Sequence, residues 1–182
     1  MMKKVFALII SLFLCIAMIN GCGKNAAADS FAVEEIYDAG EFKVTVPKGW
    51  RTIAITDPFA EGCPVKTDCI FLRKGGESDR NAFEKPYIRI EYSKTEPQIS
   101  NQELFRNIEK LEPFKLGDLT WNGYTADEYH GKAQIGRFAD ICAECGEHSF
   151  KAFVWFESGG DSIKLSDADV QMILAGLSPN VL

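Results

Sequence analysis

Four cysteines give this sequence its widest range of possible chemistry. Cys63 and Cys69 flank the segment CPVKTDC, and Cys142 and Cys145 lie within DICAECGEHSF. Thiols can close disulfides, ligate a metal ion or act as redox nucleophiles, and the redox state of the compartment decides which of these persists. The choice among these chemistries therefore depends on where the chain resides.

The residues around the second cysteine pair argue against a redox centre and against a c-type haem site. A redox thiol needs a pKa lowered by nearby cations or by a helix N-terminus. The neighbouring ionisable residues are mainly acidic: Asp140, Glu144 and Glu147. A c-type haem site needs a histidine directly after the second cysteine, but Gly146 follows Cys145 and His148 comes three positions later. Neither a redox centre nor a haem site is favoured.

Disulfides and a structural metal both remain open for the four thiols. An even number of cysteines in an exported protein favours two bridges, and the spacing favours the local pairs Cys63–Cys69 and Cys142–Cys145. The second bridge needs a turn, because along a straight strand the two Cα atoms would be about 10 Å apart, beyond the limit of roughly 7 Å. Alternatively, the two pairs could close a tetrahedral zinc site with four cysteine ligands. We expect no cofactor, with zinc as the alternative.

The N-terminal residues predict export. Lys3 and Lys4 precede a run of 15 residues from Val5 to Ile19 that is apolar except at Ser11. Such a run is too short for a comfortable membrane span and is typical of a signal peptide. The residues that follow, INGC, resemble the lipobox of bacterial lipoproteins. The resemblance implies that residues 1–21 are removed and that Cys22 becomes an acylated N-terminus.

The lipobox resemblance also implies a lipid-anchored location in the bacterial cell envelope. Lipoproteins of this type carry two or three acyl chains, such as palmitate, and two or more chains give a stable anchor. Cys22 is followed by Gly23 and not by aspartate, which resembles the pattern of lipoproteins sorted to the outer membrane if the host has two membranes. Residues 22–33 lack apolar periodicity and are interpreted as a tether, which leaves residues 34–182 as a single domain.

The charge of the chain excludes one class of partner. The full sequence has a formal net charge of −6. Removing residues 1–21 takes away two lysines and no acid, which leaves 18 basic against 26 acidic side chains, a net −8. A domain of this sign is repelled by phosphates and by anionic headgroups. Nucleic acid is therefore not an expected partner, and the lipid must provide the membrane contact.

Alternating apolar and polar residues predict a set of half-buried strands. In EFKVTVP, Phe42, Val44 and Val46 share one face, and Pro47 ends the strand. Similar patterns or short apolar runs occur in KGWRTIAIT, CIFLRK, PYIRIEYSK, KAQIGRFADI and HSFKAFVWFE. In LTWNGYTADEYH, the pair Asn122–Gly123 predicts a tight hairpin turn, because both residues tolerate positive φ.

Two segments have the periodicity of amphipathic helices. Residues 100–112, SNQELFRNIEKLE, begin with the capping-box spacing of Ser100 and Glu103 and end before Pro113. Residues 166–177, SDADVQMILAGL, form the second segment. Its aspartates are expected to complement the helix dipole instead of forming a paired-acid site. The fold class predicted is α+β: an antiparallel sheet of about six to eight strands with helices packed on its faces.

Three stretches, EFKVTVPKGW, WNGYTADEY and DADVQMILAGLSP, resemble the PsbP-like superfamily. The likeness spans roughly Glu34 to Pro179. This superfamily includes extrinsic proteins of photosystem II, bacterial lipoproteins and a binding factor for the small GTPase Ran. The resemblance implies an α/β/α sandwich and binding instead of catalysis. It implies no functional residue, and the four cysteines are not part of the family pattern.

The sequence offers no recognisable catalytic constellation. Its two histidines, His130 and His148, allow few nucleophile–base arrangements, and RKGGESDR lacks the lysine and the helix of a phosphate-binding loop. We therefore expect a non-enzymatic binding or assembly module whose partner is an envelope protein or a small ligand. The alternative is a metal-binding or thiol-redox protein that uses Cys63, Cys69, Cys142 and Cys145.

Overall fold

The computed structural model describes residues 35–75, 86–94, 105–158 and 161–180. The chain divides into two compact units, Met1–Ala32 and Val33–Leu182, and every described residue belongs to the second. The predicted signal peptide, the acylated Cys22 and the tether of residues 22–33 lie outside the described residues.

Strands dominate the described part of the chain. They are β1 (Glu35–Asp38), β2 (Phe42–Val46), β3 (Trp50–Thr56), β4 (Val65–Lys74), β5 (Tyr87–Ser93), β6 (Arg106–Leu116), β7 (Leu119–His130), β8 (Ala133–Cys145), β9 (His148–Trp155), β10 (Glu157–Ser158), β11 (Asp161–Ser162) and β12 (Ser178–Pro179). A helix of eight residues, α1 (Ala168–Ala175), precedes β12. Within these ranges the structure contains no helix of the length and hydrophobicity needed to cross a membrane.

The strands of the described ranges form three antiparallel sheets. The largest has seven strands in the order β3-β4-β5-β9-β8-β7-β6. A smaller sheet has the order β1-β2-β12, and β10 pairs with β11 alone. In this order β9 of the hairpin β8–β9 pairs with β5, so that residues far apart in sequence share one face.

The main core lies between the large sheet, β2 and α1. In β2, Phe42, Val44 and Val46 are buried as the alternation predicted. They pack in one cluster with side chains from β5, β8 and β9 and with the buried face of α1: Ile88, Ile90, Ile141, Phe150, Val154, Val170, Ile173 and Leu174. Each fully buried side chain of this type contributes about 2 kcal/mol to folding. The small sheet and α1 together cover one face of the large sheet.

The C-terminal helix is confirmed. Asp167 is its N-cap residue, and Asp169 lies in its first turn. The carboxylate of Asp169 accepts a hydrogen bond of 3.2 Å from Nε1 of Trp50 and lies 3.0 Å from Nζ of Lys74. The two aspartates therefore have the structural role that the sequence predicted, at the positive end of the helix dipole.

The predicted α+β class, with helices packed on the faces of the sheet, is wrong. The described ranges contain α1 as their helix of more than one turn, and the fold is mostly antiparallel sheet. The segment predicted as the first helix, residues 100–112, forms β6 from Arg106 onward, while Ser100 and Glu103 lie outside the described residues. Pairing with β7 overrides the helical periodicity of this segment, as tertiary context commonly does.

The structure shows why β6 carried a misleading pattern. It is the outermost strand in the sheet order, and most of its residues are exposed, including Ile108, which is 40% exposed. Its pairing with β7 shifts register twice, between Arg106 and Glu109 and between Leu111 and Phe114. A strand with two irregularities loses the period of two that would have identified it.

The predicted turn at Asn122–Gly123 is also wrong. Both residues lie inside the continuous strand β7, and Gly123 has φ 151°. A Cβ atom at Gly123 would overlap the carbonyl oxygen of Asp140 on β8. The glycine is therefore required for a close approach between two backbones, not for a reversal of the chain. The reversal that follows β7 is at Gly131, with φ 63°.

Candidate functional site

The four cysteines occupy different environments. Cys63 is exposed in the loop before β4, Cys69 and Cys142 are buried in β4 and β8, and Cys145 is half-buried at the end of β8. All four thiols are free, so the two expected local disulfides are not formed in the described part of the chain. The strand geometry explains this result for both pairs.

Cys142 and Cys145 lie on one continuous strand, without the turn that a bridge requires. The chain reverses after them, at Gly146 and Glu147, and Cys145 pairs with His148 across that reversal. Residues three positions apart on a strand point to opposite faces, and their Cα atoms are about 10 Å apart. In the first pair, Cys63 lies in the loop before β4, and Cys69 is the fifth residue of that strand, so the extended segment from Val65 to Cys69, about 13 Å long, separates Cys69 from the loop.

The two buried thiols are in the same row of the large sheet but far apart. Cys69 pairs with Glu91, Glu91 with Lys151, and Lys151 with Cys142. Three strand spacings separate the two cysteines, roughly 14 Å in total. In the residues that the structure describes, no group of three or more cysteine, histidine, aspartate or glutamate side chains is placed to hold a metal ion. The four thiols therefore do not converge on a tetrahedral zinc site.

Burial makes both of these thiols poor nucleophiles. Burial, with a smaller contribution from Glu91, raises the pKa of Cys69 to about 12. Burial followed by Asp140 raises the pKa of Cys142. The Sγ atom of Cys142 also donates a hydrogen bond of 3.3 Å to Oδ1 of Asn122. Both thiols stay protonated at neutral pH and act as small buried side chains.

Cys145 differs because it opens onto a cleft. The hairpin turn at Gly146, with φ 65°, places Cys145 opposite His148 as a cross-strand pair. Side chains of such a pair project from the same face, with Cβ atoms about 5 Å apart. Both residues line a cleft of about 580 Å³ at the end of the core, between this hairpin and the β2–β12 edge.

Aromatic rings form the inner wall of the cleft. The imidazole of His148 packs on the ring of Tyr92, with centroids 5.2 Å apart. Tyr92 in turn packs on Phe150 at 5.0 Å and on Phe42 at 6.0 Å. These contacts connect the cleft wall to the main core, so the wall is held in place by packing.

Charged and amide groups form the rim of the cleft. Nζ of Lys94 lies 3.6 Å from the carboxylate of Glu41. The side-chain nitrogen of Asn180 donates to the carbonyl of Gly40 at 2.9 Å and to the carboxylate of Asp38 at 2.7 Å. The backbone amide of Asn180 donates to the carbonyl of Glu41, also at 2.9 Å. The rim therefore offers both signs of charge on an edge fixed by hydrogen bonds.

Two of the residues that line the cleft, His148 and Tyr92, carry polar groups. Nδ1 of His148 is buried and has no hydrogen-bond partner among the described residues, which costs about 1–3 kcal/mol. Burial, together with the nearby Cys145 and Glu41, raises the pKa of the Tyr92 hydroxyl, which stays protonated at neutral pH.

The other histidine of the sequence and the three tryptophans lie elsewhere. His130 is exposed at the end of β7, far along the chain from the cleft hairpin. Trp50 and Trp121 are buried in the main core, and Trp155 is half-buried on the opposite face of the sheet. None of these residues lines the cleft.

The sequence draws attention to one segment of this cleft and not to the rest of its lining. Cys145, Gly146, Glu147 and His148 belong to DICAECGEHSF, the segment with the spacing of possible metal, haem or redox chemistry. Tyr92, Lys94 and Glu41 carry no such signal, because no local pattern shows that β5 lies beside β9. Their placement follows from the strand order, which the sequence does not state.

No family model and no curated protein matches the chain. A crystal structure from Bacteroides thetaiotaomicron VPI-5482 is similar, with a TM-score of 0.48 and 12% identity over 83% of this chain and 49% of that chain. This chain thus spans about half the length of the Bacteroides one. Cyanobacterial PsbP (CyanoP) from Synechocystis sp. PCC 6803 is also similar, with a TM-score of 0.45 and 8% identity over 86% of this chain and 98% of that chain. Neither similarity assigns an activity or a ligand to the cleft.

Proposed function

We propose that this chain is an extracytoplasmic, lipid-anchored binding module without enzymatic activity, and that its cleft holds a small zwitterionic molecule of the amino-acid type. The observation that carries the proposal is the cleft of about 580 Å³ between the β8–β9 hairpin and the β2–β12 edge. Its size falls within the range of about 300–1,000 Å³ typical of small-molecule sites.

The charges on the rim favour a ligand that carries both signs. Lys94 can pair with a carboxylate, and Glu41 and Glu147 can pair with an ammonium group. In the absence of ligand, Lys94 and Glu41 pair with each other at 3.6 Å. A zwitterion replaces this weak exposed pair with two ion pairs of its own. A ligand with a single charge pairs with one rim group and leaves the rim group of the other sign without a partner.

The aromatic wall favours a ligand with a short apolar body. The rings of Tyr92 and His148 pack against each other at the back of the cleft. Burial of an apolar side chain on such a wall contributes about 25 cal/mol for each Å² removed from water. The wall is packed on the core before any ligand binds, which lowers the entropy cost of binding.

Calorimetry with free L-amino acids and dipeptides tests the proposal. The full chain should bind at least one of these probes, and the double variant Glu41→Gln/Lys94→Met should weaken that affinity about tenfold. Lys132→Met, in the turn at the other end of β8, is the matched control and should leave it unchanged. The proposal fails if no probe binds at about 10 mM, a Kd too weak for a specific site.

Anchoring by lipid is supported by the INGC segment and by the charge of the domain. Cys22 is proposed as the acylated residue and the bacterial outer membrane as the location in a host with two membranes. Metabolic labelling with an alkyne fatty acid should tag the wild-type chain and not Cys22→Ser, and the variant should leave the membrane fraction. Equal labelling of both chains would contradict the anchor without affecting the binding test.

A further inference from the structure

We infer that Cys145 is a site of thiol–disulfide exchange at which the cleft captures the disulfide of a small amino-acid thiol as a mixed disulfide. The inference rests on the proposed function, because it names a ligand class for the same cleft. The capture is stoichiometric: one thiol of the chain is modified, and no turnover is implied.

The geometry places a nucleophile and a proton acceptor on the same face of one hairpin. Cys145 and His148 are direct cross-strand partners on either side of the turn Gly146–Glu147. Nδ1 of His148 is buried without a hydrogen-bond partner among the described residues. A thiol beside an imidazole can transfer its proton to the ring and become the more nucleophilic thiolate.

No other thiol in the described ranges combines access with such a partner. Cys69 and Cys142 are buried, with raised pKa values, in the interior of their strands. Cys63 is exposed, but the loop from Asp57 to Pro64 contains no histidine. Cys145 is half-buried, lines the cleft and faces an imidazole.

Aromatic and charged groups surround His148 at the place where a ligand disulfide would bind. Tyr92 packs on the imidazole from β5, and Cys145 faces it across the hairpin. Glu41, Lys94 and Glu147 complete the charged rim. In the inferred capture, Glu41 and Glu147 pair with the ammonium and Lys94 with the carboxylate of a cystine-like disulfide, and the S–S bond of the ligand lies near the thiol.

The exchange balances without a separate oxidant. The Cys145 sulfur attacks one sulfur of the ligand disulfide, a new S–S bond forms, and the ligand S–S bond breaks. The departing half carries away the electron pair of the broken bond as a thiolate. It takes the proton that His148 accepted from Cys145, and leaves as the free amino-acid thiol. Cys145 is oxidised, and one half of the ligand is reduced.

Competition among the four thiols of the described ranges, Cys63, Cys69, Cys142 and Cys145, tests the inference. The reduced full-length chain is mixed with L-cystine at neutral pH, and the mixed disulfides are mapped by peptide mass spectrometry over time. Cys145 should be modified at least about tenfold faster than Cys142 and Cys69, since burial and protonation slow those two. L-cystine should modify Cys145 several-fold faster than cystamine or dithiodiglycolate, which carry one sign of charge each.

The variant His148→Gln isolates the imidazole. It should slow modification of Cys145 about fivefold to tenfold and leave the rate at Cys63 unchanged. Continued protection of Cys69 and Cys142 in the same sample reports that the variant is folded. His148→Asn is a second, smaller replacement if glutamine exposes the buried pair.

Two results would overturn the inference. One is modification of Cys145 no faster than that of Cys142; the other is an equal rate at Cys145 in the wild type and in the folded His148 variant. Binding of non-thiol amino acids to the wild type, measured by calorimetry, separates this failure from failure of the proposed function. If the wild type binds them while its Cys145 is inert toward L-cystine, the binding function stands and the exchange does not.

Discussion

Nε1 of Trp50 donates a hydrogen bond of 3.2 Å to Oδ2 of Asp169, joining the first residue of β3 to the first turn of α1. The same oxygen lies 3.0 Å from Nζ of Lys74, at the end of the neighbouring strand β4. One carboxylate therefore fastens the helix to two strands of the large sheet. Because the two strands and the helix are far apart in sequence, this contact reports tertiary structure and not helix propensity.

Removal of the Asp169 carboxylate should loosen this attachment by a modest amount. Burial opposes ionisation of Asp169, but the hydrogen bonds from Lys74 and Trp50 outweigh it and hold the pKa of the carboxyl below its usual value. Asp169→Ala should lower the free energy of unfolding by about 1 kcal/mol, and Asp169→Asn by less, because the side chain is partly exposed. Urea unfolding at pH 7 measures both.

The pH dependence of this difference has a defined sign. A carboxyl with a depressed pKa in the folded state stabilises above its unfolded pKa, and that stability is lost as the pH falls through the folded value. The advantage of the wild type over Asp169→Asn should therefore be full at pH 7 and should shrink as the pH falls below the pKa of the unfolded aspartate, near 3.9. A constant difference across that range would contradict this role.

Gly123 should tolerate no side chain. A Cβ atom there would overlap the carbonyl oxygen of Asp140, and backbone atoms of a paired strand cannot yield as a flexible side chain can. Gly123→Ala should cost at least about 3 kcal/mol. Gly131→Ala is the control: φ is 63°, but nothing lies within 4 Å, so only the left-handed conformation is penalised, by about 1–2 kcal/mol. Thermal unfolding of both variants measures whether Gly123→Ala is the more destabilising of the two.

Asp127 should be the most sensitive charged residue of the β6–β7–β8 region. Its carboxylate is buried and accepts hydrogen bonds from Arg137 at 3.2 Å and from Asn107 at 2.7 Å. Asn107 lies in the first register shift of β6, with φ 51°, so this carboxylate fixes the irregular part of that strand. Asp127→Ala should cost about 2–4 kcal/mol, because it leaves the guanidinium without its buried partner.

The matched control for Asp127 is the exposed acid on the same arginine. Arg137 also pairs with Glu109 at 2.6 Å, but the Glu109 side chain is 69% exposed. Glu109→Gln should change the free energy of unfolding by about 0.5 kcal/mol or less. Equal costs for the two variants in urea unfolding would show that burial does not decide the strength of these pairs.

Cys69 should make the domain less stable in alkali. Its folded pKa of about 12, raised by burial, lies above that of an unfolded cysteine, so its contribution is present below the unfolded value and lost as the pH rises toward the folded one. Relative to Cys69→Ala, the wild type should lose roughly 1 kcal/mol for each pH unit above about 9. Unfolding of both proteins at pH 8 and pH 10, under reducing conditions, measures the difference.

The sequence predicted strands well where one face is buried. In β2 and β5 the alternation is unbroken, and the predicted inward residues Phe42, Val44, Ile88 and Ile90 are all buried. Periodicity is informative in these strands because burial, not local conformation, selects the residue types.

The failures share a different cause. The helical pattern of residues 106–112, the Asn122–Gly123 pair and the local cysteine pairs are all short-range signals, and pairing between distant strands overrode each of them. The residues of the cleft could be predicted from short-range signals only in part, for the same reason. Cys145 and His148 are close in sequence and were noticed, while Tyr92 joins them only because β5 and β9 are neighbours in the sheet.

The outermost strand β6 has a consequence for how copies of this protein coexist. An edge strand can act as a template to which another chain adds by backbone pairing. Pro113 removes a donor from β6, two register shifts break its line, and charged side chains occupy much of the remainder: Arg106, Glu109, Lys110, Glu112 and Lys115. Copies crowded together at high local concentration should therefore not pair with each other through this edge of the large sheet.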